Sequence, residues 1–313
     1  MAWTVDDIPD QTGRVAVVTG ANGGLGLVTT RALAAKGAEV IMAARHPART
    51  ERAVEEIRAA VPGARLDVVP LDLASLQSVR ACAERIASGR RSIDLLVNNA
   101  GVMAIPRAET ADGFEMQLGV NHLGHFALTA HIFPLLLRGT APRVVTVSSS
   151  ARYFSSGVSP DDPHLSERYG PWRSYGQSKL ANLQFTLELQ RRADAAGAGL
   201  ASLAVDPGFS STDLQAHSHR ASGGGWSQAF FYRAVSLFGS TPEVGALPQL
   251  RAATDPAARG GEIYGLRWVA HGAPVAVRVP KRHGRPADGA AVWEFSERES
   301  GVEFDVGAVV SDT

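Results

Sequence analysis

The segment Thr19-Gly20-Ala21-Asn22-Gly23-Gly24-Leu25-Gly26 follows an apolar run, residues 14–19, and precedes a stretch of apolar residues at helical spacing, residues 25–36. A β-branched run without polar alternation is the pattern of a strand covered on both faces, as in a parallel sheet. Glycines at its exit let a ligand approach backbone N–H groups at the positive end of the next helix. The spacing Gly20, Gly24, Gly26 departs from the commoner G-x-G-x-x-G fingerprint, so taken alone it also fits a tight strand-to-helix turn. Its place in the first βαβ unit of the chain favours phosphate binding.

The alternation continues. Strands are predicted at residues 39–43, 66–70, 94–98, 143–148, 200–205 and 262–266, with helices at 50–60, 75–87, 114–137 and 174–196. With the first strand this makes a seven-stranded parallel sheet in a doubly wound, Rossmann-type α/β domain. The 313 residues fit one such domain over 1–279, followed by a C-terminal extension, 280–313, with an amphipathic patch at 292–295. Within the domain, about 208–240 reads as a flap: Gly223-Gly224-Gly225 supplies a hinge, and Trp226, Phe230, Phe231, Tyr232 and Phe238 follow. Those aromatics suit a hydrophobic substrate, core packing or a subunit contact.

Lys+Arg and Asp+Glu both total 31, which removes the electrostatic case for nucleic acid or an acidic membrane surface. One cysteine cannot form an internal disulfide and fits a reducing cytoplasm. The N-terminus lacks a secretory pattern. The most apolar stretch, 127–137, is broken by His131 and Pro134 and is shorter than the ~20 residues a bilayer requires, so no integral membrane segment is expected. His122, His125 and His131 have no companion acids or cysteines and read as structural, with no metal site.

After the second predicted strand, Ala43-Ala44-Arg45-His46 has no carboxylate for a ribose 2′-hydroxyl but has a guanidinium for a 2′-phosphate, which favours NADP(H). The alternative for Arg45 is a solvated surface arginine. Asp72, next to Leu73, suits either an adenine hydrogen bond or capping of the helix at Ser75. Asn98-Asn99-Ala100-Gly101 makes a tight turn lining the cofactor cleft. Tyr175 and Lys179 share a helix face, where a cation would favour phenolate and suit the phenol to acid/base work. Ser148, Ser149 and Ser150 end a strand at the sheet edge that binds ligands. Asn121, a poor helix former placed mid-helix, suggests a buried polar task. No G-x-S-x-G elbow supports acyl chemistry.

In this order the motifs resemble the short-chain dehydrogenase/reductase superfamily: 19–26, 98–101, Asn121, Val147-Ser148-Ser149, 175–179 and Asp206-Pro207-Gly208. Within it, Asp112-Gly113-Phe114-Glu115, Asn121-His122-Leu123-Gly124-His125-Phe126 and Ser178-Lys179-Leu180-Ala181-Asn182 are most similar to the retinol dehydrogenase and protochlorophyllide reductase-like group. The resemblance implies that Tyr175 exchanges the proton and Lys179 binds the cofactor ribose and lowers the tyrosine pKa. It further makes Ser149 the hydroxyl that orients substrate and Asn121 the anchor of a proton-relay water. It implies cofactor contacts from Gly20, Asn22, Gly24, Leu25, Gly26, Arg45, Asp72, Leu73, Asn99, Ala100, Gly101, Tyr175, Lys179, Pro207 and Gly208. It also implies a homo-oligomer packed through the helices of Asn121 and Tyr175. The longer connection 151–173 is placed to shape substrate access. The hydrophobic N-terminal anchor of many animal retinol dehydrogenases is missing, which argues for a soluble enzyme. Cys82, on a helix away from the cleft, reads as a small buried apolar residue and not as a pigment-site thiol. The expected activity is NADP(H)-dependent hydride transfer at the carbonyl or alcohol carbon of a hydrophobic small molecule. A non-catalytic NADP(H)-binding sensor or scaffold is the alternative; it would need the glycine turn but not the proton-transfer residues.

Overall fold

Alternation along β1, Val15–Thr19, sends Ala16 and Val18 to one face of a sheet and Val17 to the other, each into a separate apolar core. The computed structural model describes residues 2–159, 161–208, 240–268 and 270–311. The sheet continues with β2 (Glu39–Ala44), β3 (Arg65–Pro70), β4 (Leu95–Asn98), β5 (Arg143–Val147), β6 (Ala201–Asp206), β7 (Ile263–Leu266) and β8 (Pro274–Val277). Spatial order is β3-β2-β1-β4-β5-β6-β7-β8, parallel throughout except for the antiparallel pair β7–β8. The seven expected parallel strands are therefore joined by an eighth of opposite direction. β8 has only four residues, opens on a proline and is half-exposed, as edge strands are, so it lacks the buried run that marks the others.

Among the described residues the helices are α1 (Gly24–Ala35), α2 (Pro47–Ala60), α3 (Leu76–Gly89), the short α4 (Met116–Leu118), α5 (Gly124–Leu137), α6 (Pro171–Ala196), α7 (Pro242–Thr254), α8 (Pro286–Ser300) and α9 (Val306–Ser311). Leu33, Ile57 and Leu250 of α1, α2 and α7 cover one sheet face; Ile86, Phe133 and Leu189 of α3, α5 and α6 cover the other. Cys82 lies 1% exposed in α3, and burial pushes its thiol up to about 12, so it acts as a small apolar residue.

The single helix expected over 114–137 is instead three pieces. Glu115 accepts from the Gln117 and Leu118 N–H groups and so starts α4 at Met116. A π-helical turn, Gly119–Leu123, then separates α4 from α5. Such turns insert an extra residue into a helix and often mark functional positions. Gly124 sits where a Cβ would lie 2.7 Å from the Leu73 carbonyl, which seats this break against the loop after β3.

The tail is woven into the body of the fold. Trp293 is fully buried, stacked on Phe304 at 4.8 Å and Phe185 at 5.8 Å, and edge-on to Phe126 at 5.3 Å. The Arg192 guanidinium covers its ring at 4.4 Å. Trp293, Phe304 and Val306 thus complete the core between the sheet and α3, α5 and α6, and α8 and α9 lie on α6. Since α9 also touches α5, the tail occupies part of the ground on which paired helices of two copies were expected to meet. The flap aromatics, 226–238, lie outside the described residues.

Strand order reverses between β1 and β4, and the carboxyl ends of the strands on both sides of that point open onto one cleft.

Candidate active site

The cleft has a volume of about 500 Å³. Of the expected site residues, Gly20, Asn22, Gly24, Leu25, Arg45, Asp72, Leu73, Asn99, Ala100, Gly101, Ser149, Tyr175, Lys179, Pro207 and Gly208 line it. Gly26 and Asn121 stand behind the wall. Met103, Ile105, Met116, Val120, Phe154 and Trp172 add an apolar surface that motif reading did not supply, because they are scattered from the loop after β4 through α4 and the π-helical turn to the turn after β5 and the start of α6. Trp172 meets the Tyr175 ring edge-on at 6.1 Å, which places part of this surface beside the phenol.

At the other end the glycine turn forms a cradle. Gly20 takes φ +66°, a left-handed conformation that favours glycine, and packs against Ala100. A Cβ on Gly26 would run into the Gly20 carbonyl and stand 2.6 Å from the Asn99 amide, so this glycine serves helix–strand packing. Gly23 precedes α1 and brings no side-chain cap to the first-turn N–H groups, which suits an anion at that position. Asn22 donates to Thr50 Oγ1 at 3.1 Å, tying the turn to α2. Thr19 Oγ1 accepts the Asn99 and Ala100 N–H groups, both at 2.9 Å, and sits 2.9 Å from His125 Nε2. His125 Nδ1 in turn lies 3.0 Å from the Asn121 carbonyl. Burial drives His125 down to about 3, so the neutral ring links cradle and π turn. The turn fits a pyrophosphate group: close backbone approach, an open helix start and no acidic side chain among its residues.

Arg45, His46 and Arg49 form the rim beyond the cradle. Arg49, in the first turn of α2, follows Arg45 by four residues, a proximity that could have flagged it. Asp72 has two engagements: its Oδ1 accepts from the Ala74 N–H at 3.0 Å and lies 3.8 Å from Arg45 Nη1. Capping of α3 falls to Ser75, which accepts from the Ser78 N–H.

At the opposite end, α6 and the 3-10 turn Ser150–Phe154 press together at Gly176, where a Cβ would stand 2.6 Å from the Ala151 carbonyl. That approach puts Ser149 and Tyr175 in the same stretch of cleft wall, with the serine hydroxyl near enough to act on the phenol. The three serines separate by task. Ser148 donates to the Lys179 carbonyl at 2.8 Å, Ser149 faces the phenol, and Ser150 opens the turn. Lys179 Nζ donates to the Val147 carbonyl at 3.0 Å and stands 5.7 Å from the Tyr175 ring centre.

Burial, and not the lysine, dominates the phenol here. It pushes Tyr175 above the usual tyrosine range, Ser149 pulls the other way, and the Asp206 carboxylate adds to the rise. The ammonium of Lys179 turns to Val147, and burial outweighs the lowering that its charge would bring. Burial also brings Lys179 down to about 8. Asp206 is held by Arg152 at 2.7 Å in a buried ion pair that single-motif reading missed, since its partners are 54 residues apart.

Asn121 is fully engaged: it accepts from the Val102 N–H at 2.8 Å and donates to the Val102 carbonyl and Ser178 Oγ, both at 2.9 Å. Ser178 donates to the Tyr175 carbonyl at 2.8 Å, so Asn121 joins the loop after β4 to the tyrosine's own helix turn. Among the described residues, no three His, Cys, Asp or Glu side chains gather as a metal site, and no helix is long and apolar enough to cross a membrane.

The family model for short chain dehydrogenases matches residues 14–222. Polyprenol dehydrogenase of Mus musculus is 43% identical over 258 residues, 81% of this chain and 75% of its own. Retinol dehydrogenase 12 of Homo sapiens is 40% identical over 241 residues, 77% and 73% of the two chains. The crystal structure of an uncharacterized protein from Mycobacterium paratuberculosis aligns with a TM-score of 0.78 at 40% identity, over 97% of this chain and 99% of that one. A cleft built from all of these motifs at a nicotinamide-binding fold, with relatives this similar over most of the chain, makes this protein an oxidoreductase of the short-chain dehydrogenase/reductase family, in its retinol dehydrogenase-like group.

Proposed function

We propose that the protein is an NADP(H)-dependent oxidoreductase acting on the carbonyl or alcohol carbon of a hydrophobic small molecule. One observation carries the reading: Ser149, Tyr175 and Lys179 stand together in the wall of the same cleft whose far end is a glycine cradle rimmed by Arg45. The nicotinamide supplies or accepts the hydride; the chain's own residues do the rest. Gly20, Asn22, Gly24 and Leu25 hold the pyrophosphate with Gly26 packing the turn behind them, Arg45 holds the 2′-phosphate, and Asp72 and Leu73 the adenine. Asn99, Ala100 and Gly101 line the middle, Lys179 binds the ribose, and Pro207 and Gly208 close the nicotinamide end.

Ser149 orients the substrate oxygen, and Tyr175 gives it a proton during reduction or takes one during oxidation. A phenol kept protonated by burial suits the giving role, and the charge of Lys179 lowers the cost of the phenolate left behind. Asn121 is read as the anchor of a relay that returns the proton to solvent. The apolar lining from Met103 to Trp172 supports a substrate of the hydrophobic class that the names of the polyprenol and retinol relatives denote. The reading includes a cytoplasmic enzyme and a homo-oligomer whose interface leaves room for the tail; light scattering gives its stoichiometry.

The test is oxidation of NADPH against a panel of hydrophobic aldehydes and ketones, with NADH alongside. Tyr175→Phe is expected to lose at least 100-fold in kcat, in line with the ~10²–10⁴ of general acid–base catalysis, and to keep NADPH binding by fluorescence. Near-normal turnover in that variant would overturn the reading.

A further inference from the structure

Behind the cleft wall, a chain of polar side chains that none of the roles above uses leads to the carbonyl that holds Lys179. The Val147 carbonyl accepts from Lys179 Nζ and from Asn182 Nδ2, each at 3.0 Å. Asn182 turns its other end, Oδ1, toward His122 Nδ1 at 3.2 Å. His122 Nε2 lies 2.7 Å from the hydroxyl of Ser296, on α8. His122, Asn182 and Ser296 are each no more than 2% exposed, and Phe126 and Phe185 flank the imidazole.

Every link in this chain has a direction. The amide of Asn182 donates to Val147, so its oxygen faces His122 and requires an N–H there. Burial drives His122 down to about 4, so its ring carries one proton and cannot donate from both nitrogens. With that proton on Nδ1, Nε2 is an acceptor, and the Ser296 hydroxyl is its donor. Ser296 Oγ also donates to the Val292 carbonyl at 2.6 Å, so its one proton is shared between that carbonyl and His122 Nε2. Turned to Val292, it would place the imidazole proton on Nε2 and set Nδ1 and Asn182 Oδ1 acceptor against acceptor. The amide would then lose its hold, and Val147 one of its two donors.

We propose that His122 is a positioning residue for Lys179: it takes its tautomer from Ser296 on the C-terminal helix and, through Asn182, fixes the carbonyl that holds the lysine ammonium. The importance of Lys179 rests on the proposed function, but the geometry of the relay is testable without turnover.

The chain has three lysines, Lys36, Lys179 and Lys281, so amine labelling is legible residue by residue. The whole protein is acetylated with limiting acetic anhydride at one pH, and each lysine is followed by mass spectrometry, with Lys36 and Lys281 as internal standards. His122→Phe and Ser296→Ala are expected to raise Lys179 labelling at least threefold against those standards. His122→Asn places an amide nitrogen where Nδ1 stands and should reverse most of the rise. His122→Gln places one nearer Nε2 and should not. If His122→Phe fails to fold, the Asn and Gln variants decide alone. Equal Lys179 labelling in these two, or no change in Ser296→Ala, overturns the relay.

Turnover separates this failure from that of the proposed function. The relay predicts kcat about tenfold lower in His122→Gln, with much of it recovered in His122→Asn and KM little moved. A wild-type protein inert to every carbonyl, with the labelling pattern as expected, sinks the proposed function and leaves the relay standing. Tyr175-dependent turnover with identical Asn and Gln variants does the reverse.

Discussion

Lys179 is a cation held where burial opposes its charge, and this has a measurable sign. Its folded pKa of about 8 lies below the usual lysine value of 10.5, so between those limits the unfolded chain binds more protons than the folded one. The lysine's burial penalty is therefore complete below pH 8 and relieved as pH rises, and the protein without cofactor should gain stability across that window. Cys82 and Tyr175 work in the opposite sense: both are raised in the fold and cost stability once the unfolded thiol ionises at about pH 8.5 and unfolded tyrosines at about pH 10, which trims the gain without cancelling it below about pH 10. Urea midpoints at about pH 7.5 and 9.5 check this, and Lys179→Met, carrying no titratable group, should remove the gain. At the far rim, Arg45→Ser should raise the KM for NADPH about tenfold or more and leave that for NADH nearly unchanged. A hydrogen bond to a charged group is worth ~1.5–3 kcal/mol, and initial rates with both cofactors read it. Most of the residues behind these predictions were legible from motif and spacing alone. His122 was recognised only as structural, because its meaning depends on Ser296, 174 positions away, and no local pattern announces such a partner.

Among the elements, those that repeat a buried period were visible and those that break it were not. Seven strands announce themselves as apolar runs; β8, short and half-exposed at the edge, does not. The turn Gly119–Leu123 hides inside apolar spacing that continues smoothly into α5, since a one-residue insertion leaves the composition untouched. In the tail, residues 292–295 showed an amphipathic patch, but what it covers had to come from the fold: Trp293 inserts between Phe185 and Phe304 on the sheet's own core. Trp293→Ala should therefore cost ~3–5 kcal/mol, the range for deleting a large buried aromatic, measured as the drop in unfolding free energy in urea. A surface extension would lose less than 1 kcal/mol, about the limit for substitutions away from packed features.

For the molecule as a whole, a cleft at the reversal of strand order means that its ligand bridges both halves of the sheet. A cofactor bound only to the folded state stabilises it by about 2.7 kcal/mol at a hundredfold excess over Kd. Thermal unfolding should accordingly shift upward with NADP⁺, and by less with the same concentration of NAD⁺. The threading of the tail into the core sets a condition on how the chain is made. Phe126 and Phe185 are synthesised well before Trp293 and Phe304, and at ~5–20 residues per second some 5 to 25 s separate Phe185 from Phe304 at the ribosome. Throughout that interval the nascent chain holds an unfinished aromatic face that only its last stretch can close. A stop codon anywhere between β8 and Trp293 would thus release a chain with every strand present and a sticky flank, a natural client for chaperones and proteases.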